Sequence, residues 1–137
     1  MTTSDVLRGV PLFNGMTDNG IEAIASLTTE TTFADGETLV REGDPGETFI
    51  LLLEGSAHVE RGDRPIADLG RGDFVGEISL IDGGPRTATV TAEGPVRALV
   101  VGRADFRRLI EEFGAVRYDI VAALARRVRR DETDPTL

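Results

Sequence analysis

The feature that most constrains the fold is a regular series of turn signals between residues 31 and 101. Each signal combines glycine with aspartate or proline, because glycine accepts positive φ and proline fixes φ. Short runs of strand-forming residues separate these signals, at 49–53, 57–60 and 96–101. Strands of this length and spacing predict an antiparallel β-barrel or jelly roll. The six signals are Asp35-Gly36, Gly43-Asp44-Pro45-Gly46, Arg61-Gly62-Asp63, Gly70-Arg71-Gly72-Asp73, Gly83-Gly84-Pro85 and Glu93-Gly94-Pro95.

Segments with helical periodicity flank this β region. Residues 18–27 carry apolar side chains at helical spacing, and Asp18 is predicted to cap the first turn. Residues 104–113 and 115–130 show the same spacing, with Gly114 between them as a C-cap. The prediction is a mainly β fold, a jelly roll or double-stranded β-helix, with an N-terminal helix and two C-terminal helices. We expect one domain over residues 1–130 and a flexible tail over 131–137.

The composition narrows the class of protein. A chain of 137 residues with 40% hydrophobic residues is large enough to bury a core. It has no apolar run of 18 residues and no apolar signal core at its N-terminus, so we expect a cytoplasmic protein without membrane contact. The net charge of −9 argues against nucleic-acid binding by this chain.

The residue types present also argue against catalysis. The sequence has one histidine, His58, inside a predicted strand, and no cysteine. A metal site requires more ligands than that, so we expect no metal, no cofactor and a solvated or structural histidine. The sequence contains no Ser–His–Asp or Cys–His set and no His-x-His cluster, so we expect a protein that is not an enzyme.

Residues 74–90 contain the groups that nucleotide binding requires. Gly76 leaves room for backbone N–H groups to approach an anion. Glu77 can only accept hydrogen bonds when it is ionised, so it suits a sugar hydroxyl. Arg86 offers a rigid guanidinium for phosphate oxygens, and Thr87 adds a hydroxyl beside it. The alternative is an ordinary surface salt bridge between Glu77 and Arg86, which contributes little to stability.

The same segment resembles the phosphate-binding cassette of the cyclic nucleotide-binding domain family. In that family the pattern is Phe-Gly-Glu-(apolar)-(small)-Leu, followed after a short gap by Pro-Arg-x-Ala-(Thr/Ser)-Val. One additional residue, Val75, lies inside the first part, as is common in bacterial members. Residues 40–57 resemble the barrel signature of the family, and residues 7–13 resemble its usual first segment. The matching positions of the cassette are Phe74, Gly76, Glu77, Ile78, Ser79, Leu80 and residues 85–90.

The resemblance implies a role for each residue of the cassette. Glu77 binds the ribose 2′-hydroxyl, and Arg86 pairs with the cyclic phosphate. Backbone N–H groups around Gly76, Glu77 and Ser79, together with Thr87, complete the phosphate site, and Ala88 belongs to the same cassette. The apolar wall under the base has four candidates, each of which is alternatively plain barrel core: Val59, Ile66, Leu69 and Ile78.

Two ligands remain open from the sequence, cAMP and cGMP. Thr87 is typical of cGMP-dependent kinases, where its hydroxyl meets the guanine amino group, but bacterial cAMP binders also carry threonine there. Asp131 falls where the last helix of the catabolite activator protein group touches adenine. Its carboxylate can accept from adenine or, at two points, from guanine. We favour cAMP because bacterial members of the family mostly bind it.

The expected function is that of a sensor in which ligand binding moves the helices of residues 104–130. The signal passes to an effector protein or a fused domain that the sequence does not identify. The alternatives are a transcription regulator without its DNA-binding part and a cGMP-selective sensor. We expect a monomer, or a weak homodimer through Val116, Ile120 and Leu124.

Overall fold

The computed structural model describes residues 3–9, 13, 16–76, 84–114 and 118. Within them, antiparallel strands form one hydrogen-bonded sheet, and helices lie on both sides of the β region in the sequence. Two helices precede the strands, where the sequence predicted one. The elements are α1 (Thr3–Arg8), α2 (Asp18–Ser26), β1 (Thr29–Phe33), β2 (Thr38–Val40), β3 (Thr48–Arg61), β4 (Arg64–Leu69), β5 (Phe74–Val75), β6 (Thr89–Gly102) and α3 (Arg103–Glu112).

Two strands of 14 residues, β3 and β6, pair along most of their length and organise the fold. Their register shifts near the middle, around Gly55, and an irregularity of this kind bends the strands. Gly55 and Gly94 have φ of +93° and +76°, a region that residues with a Cβ rarely adopt. The predicted turn at residues 93–95 was therefore wrong. The chain does not reverse there, and the glycine allows a bulge within a continuous strand.

The bend divides the β3–β6 pair into two halves that carry different neighbours. On one half, β1 pairs with the second part of β6 and β5 pairs with the first part of β3. On the other half, β2 pairs with the start of β6 and β4 pairs with the end of β3. This arrangement closes the strands around an apolar interior.

Successive residues of β3 contribute to two different apolar clusters. Phe49, Leu51 and Leu53 pack with the helices, whereas Ile50 and Leu52 pack with the other strands. Neighbouring strand residues point to opposite faces, so a strand covered on both sides is apolar at every position. All five of these side chains are accordingly buried. The start of β3 therefore lies directly beneath the helices.

The helices differ from prediction mainly at their ends. Thr17, and not Asp18, caps α2, because its hydroxyl accepts from the Gly20 N–H at 3.1 Å. Helix α3 begins one residue earlier than predicted and has Phe113 as its C-cap. None of the described helices is long and apolar enough to cross a membrane. The predicted tail lies outside the described residues, as does the predicted last helix apart from Tyr118.

Candidate functional site

The loop before β6 is held against the turn between β2 and β3. Pro85 forms an isolated antiparallel bridge with Pro45. Next to this bridge, the Arg86 N–H donates to the Asp44 carbonyl at 2.8 Å, and the Gly43 N–H donates to the Arg86 carbonyl at 2.9 Å. Because β6 begins three residues later, these backbone bonds, and not a strand, fix the position of Arg86.

The guanidinium of Arg86 turns inward and is only partly paired. Arg86 is 6% exposed. Its Nη2 donates to the Thr48 carbonyl at 2.7 Å and to the Thr48 hydroxyl at 3.0 Å. Its Nη1 is buried and has no hydrogen-bond partner among the described residues. Leaving a buried donor unpaired costs about 1–3 kcal/mol, and more for a charged group. This geometry suits an anion that brings oxygen acceptors to Nη1.

Gly76 lies against the same guanidinium. A Cβ at this position would overlap both Arg86 Nη1 and the Thr48 carbonyl oxygen. The φ of Gly76, +100°, is also one that a residue with a side chain rarely adopts. The structure thus brings Gly76 and Arg86 together. The pair that the spacing of the cassette predicted, Glu77 with Arg86, stays a prediction because Glu77 lies outside the described residues. The structure also gives this glycine a second role, which is to leave space for the arginine.

Charges around Arg86 modify its electrostatics. Burial lowers the pKa of Arg86 below its ordinary value, the Glu47 carboxylate acts against this, and the nearby Arg103 guanidinium adds to the lowering. Arg103, the first residue of α3, donates to the Gly46 carbonyl, and its Nε is buried without a partner among the described residues. Two guanidinium groups, each with a donor that no described residue pairs, therefore flank the turn that leads into β3.

A cavity of about 290 Å³ opens beside Arg86, and we call it the Arg86 cavity. Its size lies near the lower end of the range for small-molecule sites, roughly 300–1,000 Å³. Its walls carry charges of both signs and a short apolar strand. The lining residues are Thr38, Leu39, Val40, Arg41, Asp44, Pro45, Glu47, Thr48 and Arg86.

The other predicted site residues have separate positions. Val59 is half-buried on β3 and packs against the apolar cluster that contains Ile50 and Leu52. Its contact with the base of the nucleotide stays a prediction. Thr87 is exposed, and its carbonyl accepts from Arg61 Nε at 3.2 Å. Ala88 is half-buried beside it. The remaining predicted ligand-binding residues lie outside the described residues: Glu77, Ile78, Ser79 and Asp131.

Sequence reasoning missed three residues near Arg86, which are Thr48, Glu47 and Arg103. Thr48 lies 38 residues before Arg86 and supplies two of its acceptors. A partial signal was present, since Thr48 follows a turn of the Gly-Asp-x-Gly type and opens a predicted strand. Nothing in that spacing shows that the turn folds back onto Pro85 and Arg86.

Comparison with known proteins assigns this chain to a family. A sequence model described as "Cyclic nucleotide-binding domain" matches residues 30–113, more than half of the chain. The chain belongs to the cyclic nucleotide-binding domain family. The match runs from β1 to the end of α3, so it includes Arg86 and the turn that holds it.

Three relatives of this cyclic nucleotide-binding domain, one fungal and two bacterial, illustrate the similarity. The cAMP-dependent protein kinase regulatory subunit of Hypocrea atroviridis is 34% identical over 104 residues, which are 76% of this chain and 22% of that protein. The catabolite activator protein structure of Thermus thermophilus gives a TM-score of 0.81 at 30% identity, covering 90% of this chain and 60% of that one. The N-terminal domain of a transcriptional regulator from Streptomyces coelicolor A3(2) gives 0.70 at 37% identity, covering 92% and 94%.

These comparisons confirm the predicted family and the predicted fold class of antiparallel strands with flanking helices. The domain spans 22%, 28% and 26% of the lengths of three curated kinase regulatory subunits that it matches. It therefore corresponds to one part of those larger proteins.

Proposed function

We propose that this chain is a non-catalytic sensor that binds a cyclic nucleotide, with cAMP as the preferred ligand. The observation that carries the proposal is the buried Arg86 guanidinium, whose Nη1 lies against Gly76 without a partner among the described residues. A cyclic phosphate supplies oxygen acceptors for Nη1 and a negative charge beside the guanidinium. Membership of the cyclic nucleotide-binding domain family supports the same ligand class.

The remaining contacts follow the pattern of the cassette. In this proposal the Glu77 carboxylate accepts from the ribose 2′-hydroxyl, and backbone N–H groups near Ser79 share the phosphate. Thr87 and Ala88 border the phosphate, while Ile78 and Val59 contact the base. Each charge-assisted hydrogen bond contributes about 1.5–3 kcal/mol. After association costs, several such bonds are compatible with a Kd near micromolar, about −8 kcal/mol.

The choice of cAMP has support from the relatives. The fungal protein that matches 76% of this chain is described as a cAMP-dependent kinase regulatory subunit. Thr87 and Asp131 keep cGMP as the competing ligand, because their oxygens can accept from the guanine amino group. A direct comparison of both nucleotides decides between them.

Contacts between the anion site and α3 support a route for signalling. Thr48 holds the Arg86 guanidinium, and the next residue, Phe49, stacks on Phe106 of α3 with ring centroids 4.9 Å apart. Arg103, at the start of α3, donates to a carbonyl of the same turn. A phosphate that draws Arg86 away from Thr48 therefore acts on two anchors of α3. We propose that α3 and the residues after it shift on binding and pass the signal to an effector protein or a fused domain.

Calorimetric titration with cAMP and cGMP, side by side, tests the binding. We expect one nucleotide to bind with a Kd near micromolar. Arg86→Ala should weaken this binding by about 30- to 1,000-fold, which corresponds to the loss of about 2–4 kcal/mol when a buried charge loses its partner. Arg64→Ala is the matched control, because Arg64 is exposed at the start of β4, and it should bind normally. Binding of neither nucleotide, or normal binding by Arg86→Ala, would contradict the proposal.

Amide hydrogen exchange tests the signalling step separately. Saturating nucleotide should change the exchange rates of amides within Arg103–Glu112, since the anchors of this helix respond to Arg86. Exchange that stays unchanged at saturation would refute the movement of α3 and leave the binding site itself intact.

A further inference from the structure

Four ionisable side chains meet on the outer face of the sheet, away from the Arg86 cavity. His58 of β3 lies directly opposite Asp68 of β4 and opposite Thr91 of β6. Glu60 and Glu93 stand two residues beyond His58 and Thr91, so strand alternation places them on the same face. We call His58, Glu60, Asp68 and Glu93 the His58 cluster.

Both ring nitrogens of His58 face carboxylate oxygens. Nδ1 lies 3.0 Å from Asp68 Oδ1 and 3.6 Å from Glu93 Oε1, and Nε2 lies 3.1 Å from Glu60 Oε1. Ionised carboxylates only accept hydrogen bonds, so a proton on Nδ1 serves one of its two acidic neighbours. Three carboxylates also outnumber the single positive charge that one imidazolium carries. The cluster is therefore short of positive charge at a defined point, between Nδ1 and two carboxylates.

The separations of these atoms match those of metal ligands. Nitrogen and oxygen ligands bound at 2.0–2.2 Å to a tetrahedral Zn²⁺ ion lie about 3.4 Å from each other. The two distances from His58 Nδ1, 3.0 and 3.6 Å, fall on either side of this value. Ligand atoms of His58, Asp68 and Glu93 all lie within 4.8 Å of one another.

We propose that His58, Asp68 and Glu93 bind a divalent first-row transition metal ion, with Zn²⁺ as the best match. Imidazole nitrogen with carboxylate oxygens is a ligand set that Zn²⁺ accepts, and water completes the coordination. Glu60 accepts from Nε2–H and so fixes the ring with Nδ1 directed at the metal, as outer carboxylates commonly do. The proposal does not depend on nucleotide binding.

The position of the three ligands in the fold gives the site a structural consequence. His58, Asp68 and Glu93 belong to three neighbouring strands, β3, β4 and β6, so an ion bound to them links all three. Because it binds only when the strands are paired, the metal stabilises the folded domain by mass action. The sequence predicted no metal site, since pairing of distant strands, and not local spacing, brings the carboxylates to His58.

Magnetic resonance of the His58 ring gives a direct test. The 137-residue chain has one histidine and no cysteine, so its imidazole signals report this site alone. We expect ZnCl₂, added to the metal-free protein at pH 7.5, to shift these signals saturably at one ion per chain. The melting temperature should rise with Zn²⁺ in the parent protein and stay constant in His58→Gln.

Carboxylate variants distinguish Zn²⁺ binding by all three side chains from binding by the imidazole alone. Asp68→Asn and Glu93→Gln should each weaken Zn²⁺ binding by tenfold or more, because each removes a charged ligand. Asp63→Asn is the matched control, since it removes an exposed carboxylate from the turn between β3 and β4, and it should bind Zn²⁺ normally. Absence of a saturable shift at millimolar Zn²⁺ would overturn the proposal. A shift that Asp68→Asn and Glu93→Gln leave unchanged would also overturn it, as adventitious binding to the imidazole alone.

Discussion

Replacing Gly76 with alanine tests whether this backbone position is reserved for the Arg86 side chain. With φ at +100°, alanine meets a backbone cost of about 1–2 kcal/mol. Its methyl group would lie 2.5 Å from Arg86 Nη1 and closer still to the Thr48 carbonyl oxygen. Crowding of this kind in a packed site costs typically about 1–3 kcal/mol. The sum, about 2–5 kcal/mol, is a large part of the 5–15 kcal/mol that stabilises a domain of this kind.

Gly36→Ala is the control that isolates the crowding term. Gly36 also has positive φ, +80°, but a Cβ there meets nothing within 4 Å. Urea unfolding followed by circular dichroism suits this chain, which has no tryptophan. With a slope of about 2 kcal/mol per molar urea, a crowding cost of about 1–3 kcal/mol should place the midpoint of Gly76→Ala roughly 0.5–1.5 M below that of Gly36→Ala. Equal midpoints would refute the packing argument. Calorimetry should show weaker nucleotide binding for Gly76→Ala alone, because its methyl group displaces Arg86.

Three further predictions concern Thr48 and Phe106 near the Arg86 cavity and His58 on the outer face of the sheet. Thr48→Val removes the hydroxyl that accepts from Arg86 but keeps the hydrogen bond to the Thr48 carbonyl. Urea unfolding should therefore show a free energy of unfolding lower by about 0.5–1.5 kcal/mol. A larger decrease would mean that the bond to the carbonyl is also lost. Phe106→Ala should lower the free energy of unfolding by about 3–5 kcal/mol, because Phe106 is 1% exposed. A decrease below about 1 kcal/mol would contradict its role as an anchor of α3. In buffer with a metal chelator, the hydrogen bond to Asp68, together with the charges of Glu60, Asp68 and Glu93, raises the pKa of His58 above 6.5 despite desolvation. The resulting stabilisation is fully present below about pH 6.5 and is lost as the pH rises through the folded-state pKa. The free energy of unfolding, measured against pH, should therefore decrease over this range in the parent protein and change less in His58→Gln.

Local patterns in the sequence were sufficient for the family and the fold class. Turn chemistry acts within a few residues, because glycine and proline restrict or release φ at their own positions. For this reason the turn at Asp35-Gly36 and the hairpin at residues 61–64 appear where the sequence placed them. The same local logic failed at Gly94, where positive φ serves a bulge and not a reversal, because β6 pairs with β3 on both sides of the irregularity.

The tertiary structure alone decided which groups complete each site. Thr48 reaches Arg86 across 38 residues because the turn before β3 folds back on the loop before β6. Asp68 and Glu93 reach His58 because β3 pairs with β4 on one side and with β6 on the other. Such contacts depend on which strands become neighbours, and that outcome is set by burial of the whole apolar surface and not by spacing along the chain. The sequence by itself determined that this domain carries an arginine suited to phosphate, and the tertiary structure decided that the arginine is buried, with Nη1 unpaired among the residues that the structure describes.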